Sequence, residues 1–259
     1  MPKVSVIIPL YNCESTIRRS MTSVKNQTYK DFEVIAVDNN CSDNTISVVK
    51  EFSGDLDLKI VQCSQPGIVP ALNTGIKNHS GELIARQDGD DFWYPEKLAK
   101  QVSFLDKNPE IGVLGTQIKI LDTSGSYQSK GSMGKEVIYP MGDNEIKKFM
   151  LMGQNPVCHP SVVFRSSLTK LIGGYEQCFS KAEDLHMWLR LFPHTQFANL
   201  EDVLVDYTQR QDDDYDARVP LLVAALYYNL YKTFGLIEGE LPGRVYHWQL
   251  DTSAHGNII

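Results

Sequence analysis

Over the first 120 residues the apolar positions switch repeatedly between two periods. Residues 4–8, VSVII, form a β-branched run closed by Pro9, which predicts a buried strand. Over 14–25, Ile17, Met21 and Val24 recur at helical spacing, and Asn12 or Ser15 is placed to cap the helix. The alternation continues with a strand at 33–37 and a helix at 42–52 carrying Ile46, Val49 and Phe52 on one side. A strand at 58–62, a helix at 68–78, a strand at 82–87, a helix at 95–106 and a strand at 112–121 follow. Such a strand–helix alternation calls for a mostly parallel sheet with helices on both faces.

After Leu121 the pattern becomes irregular. Residues 122–134, rich in Ser and Gly, predict a loop or hairpin. Short helices are expected at 144–152 and 166–172, and short strands at 162–164 and 203–207. A helix at 183–192 has Leu185, Trp188, Leu189 and Phe192 on its inner side, and a long helix is expected at 217–234. Periodicity is weak over the last 20 or so residues, and no internal repeat is visible.

Ligands of open α/β sheets bind beyond the carboxyl ends of the strands. Three polar stretches fall there: Pro9-Leu10-Tyr11-Asn12, Asp38-Asn39-Asn40, and Asp88-Gly89-Asp90-Asp91. The last puts three carboxylates within four residues behind an apolar strand, an arrangement that needs a neutralising partner. Asp88 and Asp90 flank a glycine, so both can turn toward one point while the backbone stays close to a ligand. An all-oxygen donor set of this kind suits Mg²⁺ or Mn²⁺. A solvated acidic turn, with Asp91 capping the helix near Pro95, is the plainer alternative. Arg86 is placed to pair with Asp88 or to touch a phosphate. Asp38 is placed to accept hydrogen bonds from a base or ribose, as acidic residues do in nucleotide-binding α/β folds. Asp43 is expected in the first turn of the next helix.

Glu183 and Asp184 open an amphipathic helix. A helix-dipole role is the simple account; facing the sheet rim, one of them is placed to act as general base. His159 and His186 are candidate metal or substrate contacts. Arg210 precedes the acidic run Asp212-Asp213-Asp214 and is a candidate clamp for a diphosphate.

The composition is that of an ordinary globular chain, 42% hydrophobic and 22% charged over 259 residues. Its net charge of -7 argues against nucleic acid as the main partner. Five cysteines, an odd number without a C-x-x-C pair, predict neither a disulfide framework nor a zinc site and fit a cytoplasmic setting. The apolar part of the N-terminus is too short for a signal-peptide core, and no stretch approaches the roughly 20 apolar residues that span a bilayer. Any membrane contact is therefore expected to be peripheral, at the inner face, through the terminal helix.

Several runs together resemble family 2 of the inverting glycosyltransferases. They are Val4 to Asn12; Ser23 to Tyr29 leading to Phe32-Glu33-Val34-Ile35; Val37 to Asp43; Leu72-Asn73-Thr74-Gly75; Gly81 to Arg86; and Asp88 to Asp91. Pro95 to Leu98, Gln101, His159 to Arg165, Gly173-Gly174-Tyr175 and Glu183-Asp184-Leu185 continue the likeness, which spans about residues 3–210. It implies a GT-A fold, with a nucleotide-sugar half at 1–120 and an acceptor half at 121–210; residues 211–259, outside the likeness, are expected to form an acidic loop and a helical extension. It further implies that Pro9, Tyr11 and Asp38 surround the nucleobase with Arg86 nearby. By the same likeness Asp88 contacts ribose or the metal shell, Asp90 ligates Mn²⁺ or Mg²⁺, and Asp184 is the catalytic base. The implied reaction moves a sugar from a nucleoside diphosphate, UDP by family expectation, to a glycan or lipid-linked hydroxyl. Asn39-Asn40-Cys41 departs from the Asp-Gly-Ser of many relatives. Two other classes stay open on the sequence: a sugar-nucleotide nucleotidyltransferase, against which the glycine-free loop after the first strand counts, and a non-catalytic nucleotide-sugar binder.

Overall fold

The computed structural model describes residues 1–121, 134–179, 181–209 and 218–237. Arg210, the acidic run after it, and most of the expected 122–134 loop lie outside the described residues.

The first half alternates as its pattern requires. Strands β1 (Val4–Leu10), β2 (Phe32–Asp38), β3 (Leu58–Gln62) and β4 (Leu83–Arg86) alternate with helices α1 (Glu14–Lys25), α2 (Thr45–Lys50) and α3 (Ile68–Asn78). A two-residue strand β5 (Phe92–Trp93), helix α4 (Lys97–Lys107) and a long strand β6 (Ile111–Leu121) follow. Then come β7 (Glu136–Val137), α5 (Asp143–Leu151), β8 (Val163–Arg165), α6 (Ser167–Ile172), α7 (Glu183–Leu191), β9 (Gln196–Thr208) and α8 (Arg218–Thr233).

These strands form one sheet in the order β3-β2-β1-β4-β8-β6-β9-β5, with β7 paired to β6. β3, β2, β1 and β4 are mutually parallel. β8 runs antiparallel to both β4 and β6, while β6 and β9 are parallel. The parallel half therefore presents the carboxyl ends of β1, β2 and β4 on a common edge.

Successive side chains on a strand point to opposite faces, and this sorts the apolar residues into two cores. Val4, Val6, Ile8 and Leu10 pack with Ile17, Met21 and Val24 of α1 and Leu98, Val102 and Leu105 of α4. Ile7, Ile35 and Val37 point the other way, into a core with Leu72 of α3 and Leu185, Trp188 and Leu189 of α7. Gly75 lets α3 settle onto β1: a Cβ there would lie 2.3 Å from Ile7 Cγ2. Every strand residue of β1 is buried, as both-face coverage demands.

Four local expectations need correcting. Neither Asn12 nor Ser15 caps α1. Cys13 is the N-cap residue and carries no side-chain cap bond; instead the Cys13 N–H donates to Thr45 Oγ1 and the Glu14 N–H to Asp43 Oδ2. Asp43 lies before α2 and accepts the Thr45 N–H through Oδ1. α2 is six residues long and not eleven: 42–44 precede the helix, with Asn44 as its N-cap residue, and 51–52 form turns after it. The last strand is 13 residues rather than five: it bulges against β6, and the exposed Glu201 and Asp202 break the apolar run that marks a strand in sequence.

Candidate active site

A groove runs along the carboxyl edge of β1, β2 and β4 as three adjoining hollows. The first is lined by Pro9, Tyr11, Asn39, Gly67 and Ile68. Pro9, Tyr11 and Ile68 continue into the second, which adds Arg86, Asp88, Asp90, Glu183 and Tyr207. The third shares Arg86, Asp88, Glu183 and Tyr207 with it and adds Asn155, His159, Lys181 and Asp184. The structure thus brings Pro9, Tyr11, Arg86, Asp88, Asp90, His159, Glu183 and Asp184 to one surface. Asp38 ends β2 on the same rim, with Oδ1 accepting the Cys41 N–H at 2.9 Å. It is Asn39 of that pair that enters the groove wall beside Tyr11.

The acidic loop after β4 is held by its backbone. Ser20 Oγ donates to the Asp88 carbonyl, Thr16 Oγ1 to that of Gly89, and Thr208 Oγ1 and Arg19 Nη2 to that of Asp90. Gly89 leaves room for Cys13, since a Cβ there would sit 2.7 Å from Cys13 Sγ. With its carbonyls taken by α1 and β9, the loop leaves its carboxylates to the groove. Asp88, Asp90 and Asp91 each offer an oxygen within 4.8 Å of the others. Arg86, 6% exposed, pairs with Asp88 Oδ2 through Nη1. The loop carries three acids close together, and the excess negative charge shows on Asp91. Burial, followed by the charges of Asp88 and Asp90, pushes the Asp91 carboxyl well above the usual carboxylate range.

Asp91 does not cap α4. Its Oδ1 accepts the Thr208 N–H, and its Oδ2 is buried without a hydrogen-bond partner among the described residues. An orphaned buried carboxylate oxygen beside two further carboxylates fits a divalent cation with oxygen preference. Asp88 and Asp90, which line the groove, would hold it.

Glu183 and Asp184 form the first turn of α7. Asp184 Oδ1 accepts the Leu185 N–H at 2.7 Å, and Oδ2 accepts Asn155 Nδ2. Burial raises the Asp184 carboxyl, against the lowering effect of these donors and of Arg86. Glu183 is raised by burial and then by the neighbouring Asp184 charge, and its Oε2 is buried without a hydrogen-bond partner among the described residues. His159 Nε2 lies 2.8 Å from the Tyr175 hydroxyl, and burial, with Arg86 next, drives its pKa well below the usual imidazole value. A neutral, hydrogen-bonded wall of the groove is the role its geometry supports. Asn155, Lys181, Tyr207 and Thr208 also belong to this surface or its support and carry no local sequence signal of it. The left-handed φ of 75° at Lys181, just before α7, is visible only in the fold.

A large mixed α/β sheet carries an acidic loop and a carboxylate pair on one groove, and this architecture is that of a GT-A fold. The model of the family "Glycosyl transferase family 2" matches residues 5–171. A relative from Escherichia coli, "UDP-Glc:alpha-D-GlcNAc-diphosphoundecaprenol beta-1,3-glucosyltransferase WfgD", is 32% identical over 188 residues, covering 73% of this chain and 69% of that protein. The fold is similar to that of S. aureus TarS in complex with UDP-GlcNAc, with TM-score 0.66 and 21% identity over 90% of this chain and 73% of the other. It is also similar to mannosyltransferase PcManGT from Pyrobaculum calidifontis in complex with GDP-Man and Mn²⁺, with TM-score 0.60 and 21% identity over 93% and 66%. The chain belongs to glycosyl transferase family 2 and is a glycosyltransferase. Among the described residues no helix is long and apolar enough to cross a membrane.

Proposed function

We propose that this enzyme moves a sugar from a UDP-linked donor to a hydroxyl of a glycan or lipid-linked glycan, with inversion and with Asp184 as general base. The observation that carries this reading is the shared groove: Arg86 and Asp88 line it together with Glu183 and Asp184. The glucosyltransferase activity that WfgD's name gives and the UDP-GlcNAc bound to TarS support the donor class, and WfgD's diphosphoundecaprenol substrate supports the acceptor class. The Mn²⁺ of PcManGT supports divalent-metal use.

In this reading Pro9 and Tyr11 flank the nucleobase, and Asp38 serves the base or ribose from the rim. Arg86 and Asp88 lie toward the diphosphate. When bound at Asp88 and Asp90, Mn²⁺ or Mg²⁺ supplies positive charge beside the departing diphosphate. Arg86 adds fixed charge there, already oriented by Asp88. Each Asp184 oxygen accepts one protein N–H and keeps a further lone pair for an acceptor hydroxyl. Asp184 takes the hydroxyl proton as the oxygen bonds to the anomeric carbon. The carbon–phosphate oxygen bond breaks with its electron pair leaving on the diphosphate, so one displacement inverts the centre. Burial, by raising the Asp184 carboxyl, makes the carboxylate a stronger proton acceptor. Burial and then the Asp184 charge raise Glu183 to about 7, so its protonated fraction near neutral pH donates from Oε2 to a sugar hydroxyl.

The test is incubation with a panel of nucleotide sugars, with Mn²⁺ and with glycan or lipid-diphosphate acceptors. Release of UDP coupled to a new glycoside of inverted configuration is expected. Pyrophosphate release in place of nucleoside diphosphate, or a product of retained configuration, overturns the reading.

A further inference from the structure

Away from the groove, a second cluster joins the 3-10 turn at Gln177–Phe179 to α7. A ring nitrogen of His186, Cys178 Sγ and a carboxylate oxygen of Glu176 all lie within 4.8 Å of one another. His186 is 3% exposed, with its ring 4.7 Å from Phe179 and 5.5 Å from Tyr227, centroid to centroid. Aromatic packing explains the burial of the ring but not the state of its nitrogens. Nε2 lies 2.9 Å from the Tyr227 hydroxyl. Nδ1 is buried and has no hydrogen-bond partner among the described residues. With Nε2–H donating to Tyr227, Nδ1 carries a lone pair that no described residue uses.

The other two groups are arranged to the same end. Glu176 Oε1 is held by Arg190 Nη2 at 2.9 Å, while Oε2 faces Cys178 Sγ at 3.7 Å. Glu176 thus has one oxygen held from behind and the other toward Cys178, and His186 has Nε2 engaged by Tyr227, which leaves Nδ1 as its unengaged nitrogen. Metal-ligating histidines and carboxylates are supported in this way, the far atom engaged by a hydrogen-bonding partner.

We propose that His186 Nδ1, Cys178 Sγ and Glu176 Oε2 form a second metal site for Zn²⁺ or a chemically similar cation. Water completes a tetrahedral set. Mixed nitrogen and sulfur ligation selects this class of ion, whereas the all-oxygen carboxylates at Asp88 and Asp90 suit Mg²⁺ or Mn²⁺. The two sites therefore sort different metals within one chain. Cys178 enters as thiolate: the metal–sulfur bond forms as the S–H bond breaks, and the proton goes to solvent. The odd cysteine count and lack of a C-x-x-C pair hide such a site, because its ligands come from a turn and a helix eight residues further on. Bound metal staples the segment leading into α7 to the helix that carries Asp184, and through Tyr227 ties both to α8. Its role is to position the start of α7, not to touch substrate.

Metal-stripped full-length protein is titrated with Co²⁺ without nucleotide, and the absorption spectrum is recorded. One tightly bound Co²⁺ per chain with a thiolate-to-cobalt charge-transfer band is expected. The band persists in Asp90→Ala and disappears in Cys178→Ser, a change at an exposed position whose fold is checked by circular dichroism. Tyr227→Phe weakens Zn²⁺ about 10–100-fold in competition with Co²⁺. No charge-transfer band in folded wild-type protein, or a band that survives Cys178→Ser, overturns the proposal.

Discussion

Asn155 donates its side-chain amide to Asp184 Oδ2, across 29 residues of sequence, while Leu185 N–H holds Oδ1. A hydrogen bond to a carboxylate favours the charged form and lowers its pKa. Asn155→Ala removes that donor, so the Asp184 carboxyl rises further above its ordinary value. With Asp184 as the proposed base, transfer needs the carboxylate, and the acid limb of the kcat/KM profile is expected to move to higher pH. Rate measurements from pH 4 to 9 check this, and an unmoved limb removes Asp184 from the role of base.

Asp184→Asn keeps the shape and loses the proton acceptor. Transfer falls by about 10²–10⁴-fold, the usual worth of a general base. Donor affinity, read by calorimetry with a UDP-sugar and Mn²⁺, stays near that of the parent. Equal losses in both would show that Asp184 binds the donor and does not act on the acceptor.

Asp90→Ala removes a groove carboxylate without breaking the ion pair of Arg86 with Asp88. The thermal shift produced by UDP together with Mn²⁺ is expected to fall to the level UDP gives alone. A full metal-dependent shift in the variant would place the cation elsewhere.

Arg86 neutralises a loop with three acids. Arg86→Met removes the guanidinium that pairs with Asp88 and lowers the Asp91 carboxyl. Removing one member of a buried pair costs on the order of 3–5 kcal/mol; the quarter exposure of the Asp88 side chain puts this case near the low end. Urea unfolding measures the loss. With the proposed cation site at Asp88 and Asp90, Mn²⁺ is expected to restore part of it by taking over the neutralisation.

The parallel half was legible because its pattern is local. Leu58–Gln62 and Ile68–Asn78 fall where the apolar period places them, and the Asp88–Asp91 cluster announces itself within four residues. What the sequence hides is set by distance along the chain. Thr208 reaches Asp91 across 117 residues, and Asp43 with Thr45 caps a helix some 30 residues earlier. β5, two residues long, is too short to show any period. Glu183 and Asp184 look like any acidic helix start; only the fold carries that helix end to the edge of β4. The orphaned Nδ1 of His186 has no sequence signature at all, since an unpartnered atom is a property of its surroundings.

Glu33 gives a prediction about stability alone. It is buried on β2, with Lys59 on one oxygen and Ser5 and Ser80 on the other. Burial favours its neutral form, but the Lys59 ion pair and the serine donors outweigh this and lower its pKa from 4.5 to about 2. A folded pKa below the unfolded one contributes stability above the unfolded value and loses it as pH falls through the folded value. The network's contribution is therefore intact above pH 4.5 and fades between about 4.5 and 2. Glu33→Gln, which keeps the shape and loses the charge, is less stable than the parent at neutral pH. The difference between the two thermal midpoints narrows as pH drops through that window. A difference independent of pH over the same range would mean that packing, and not the carboxylate, holds β2 to β3 at this point.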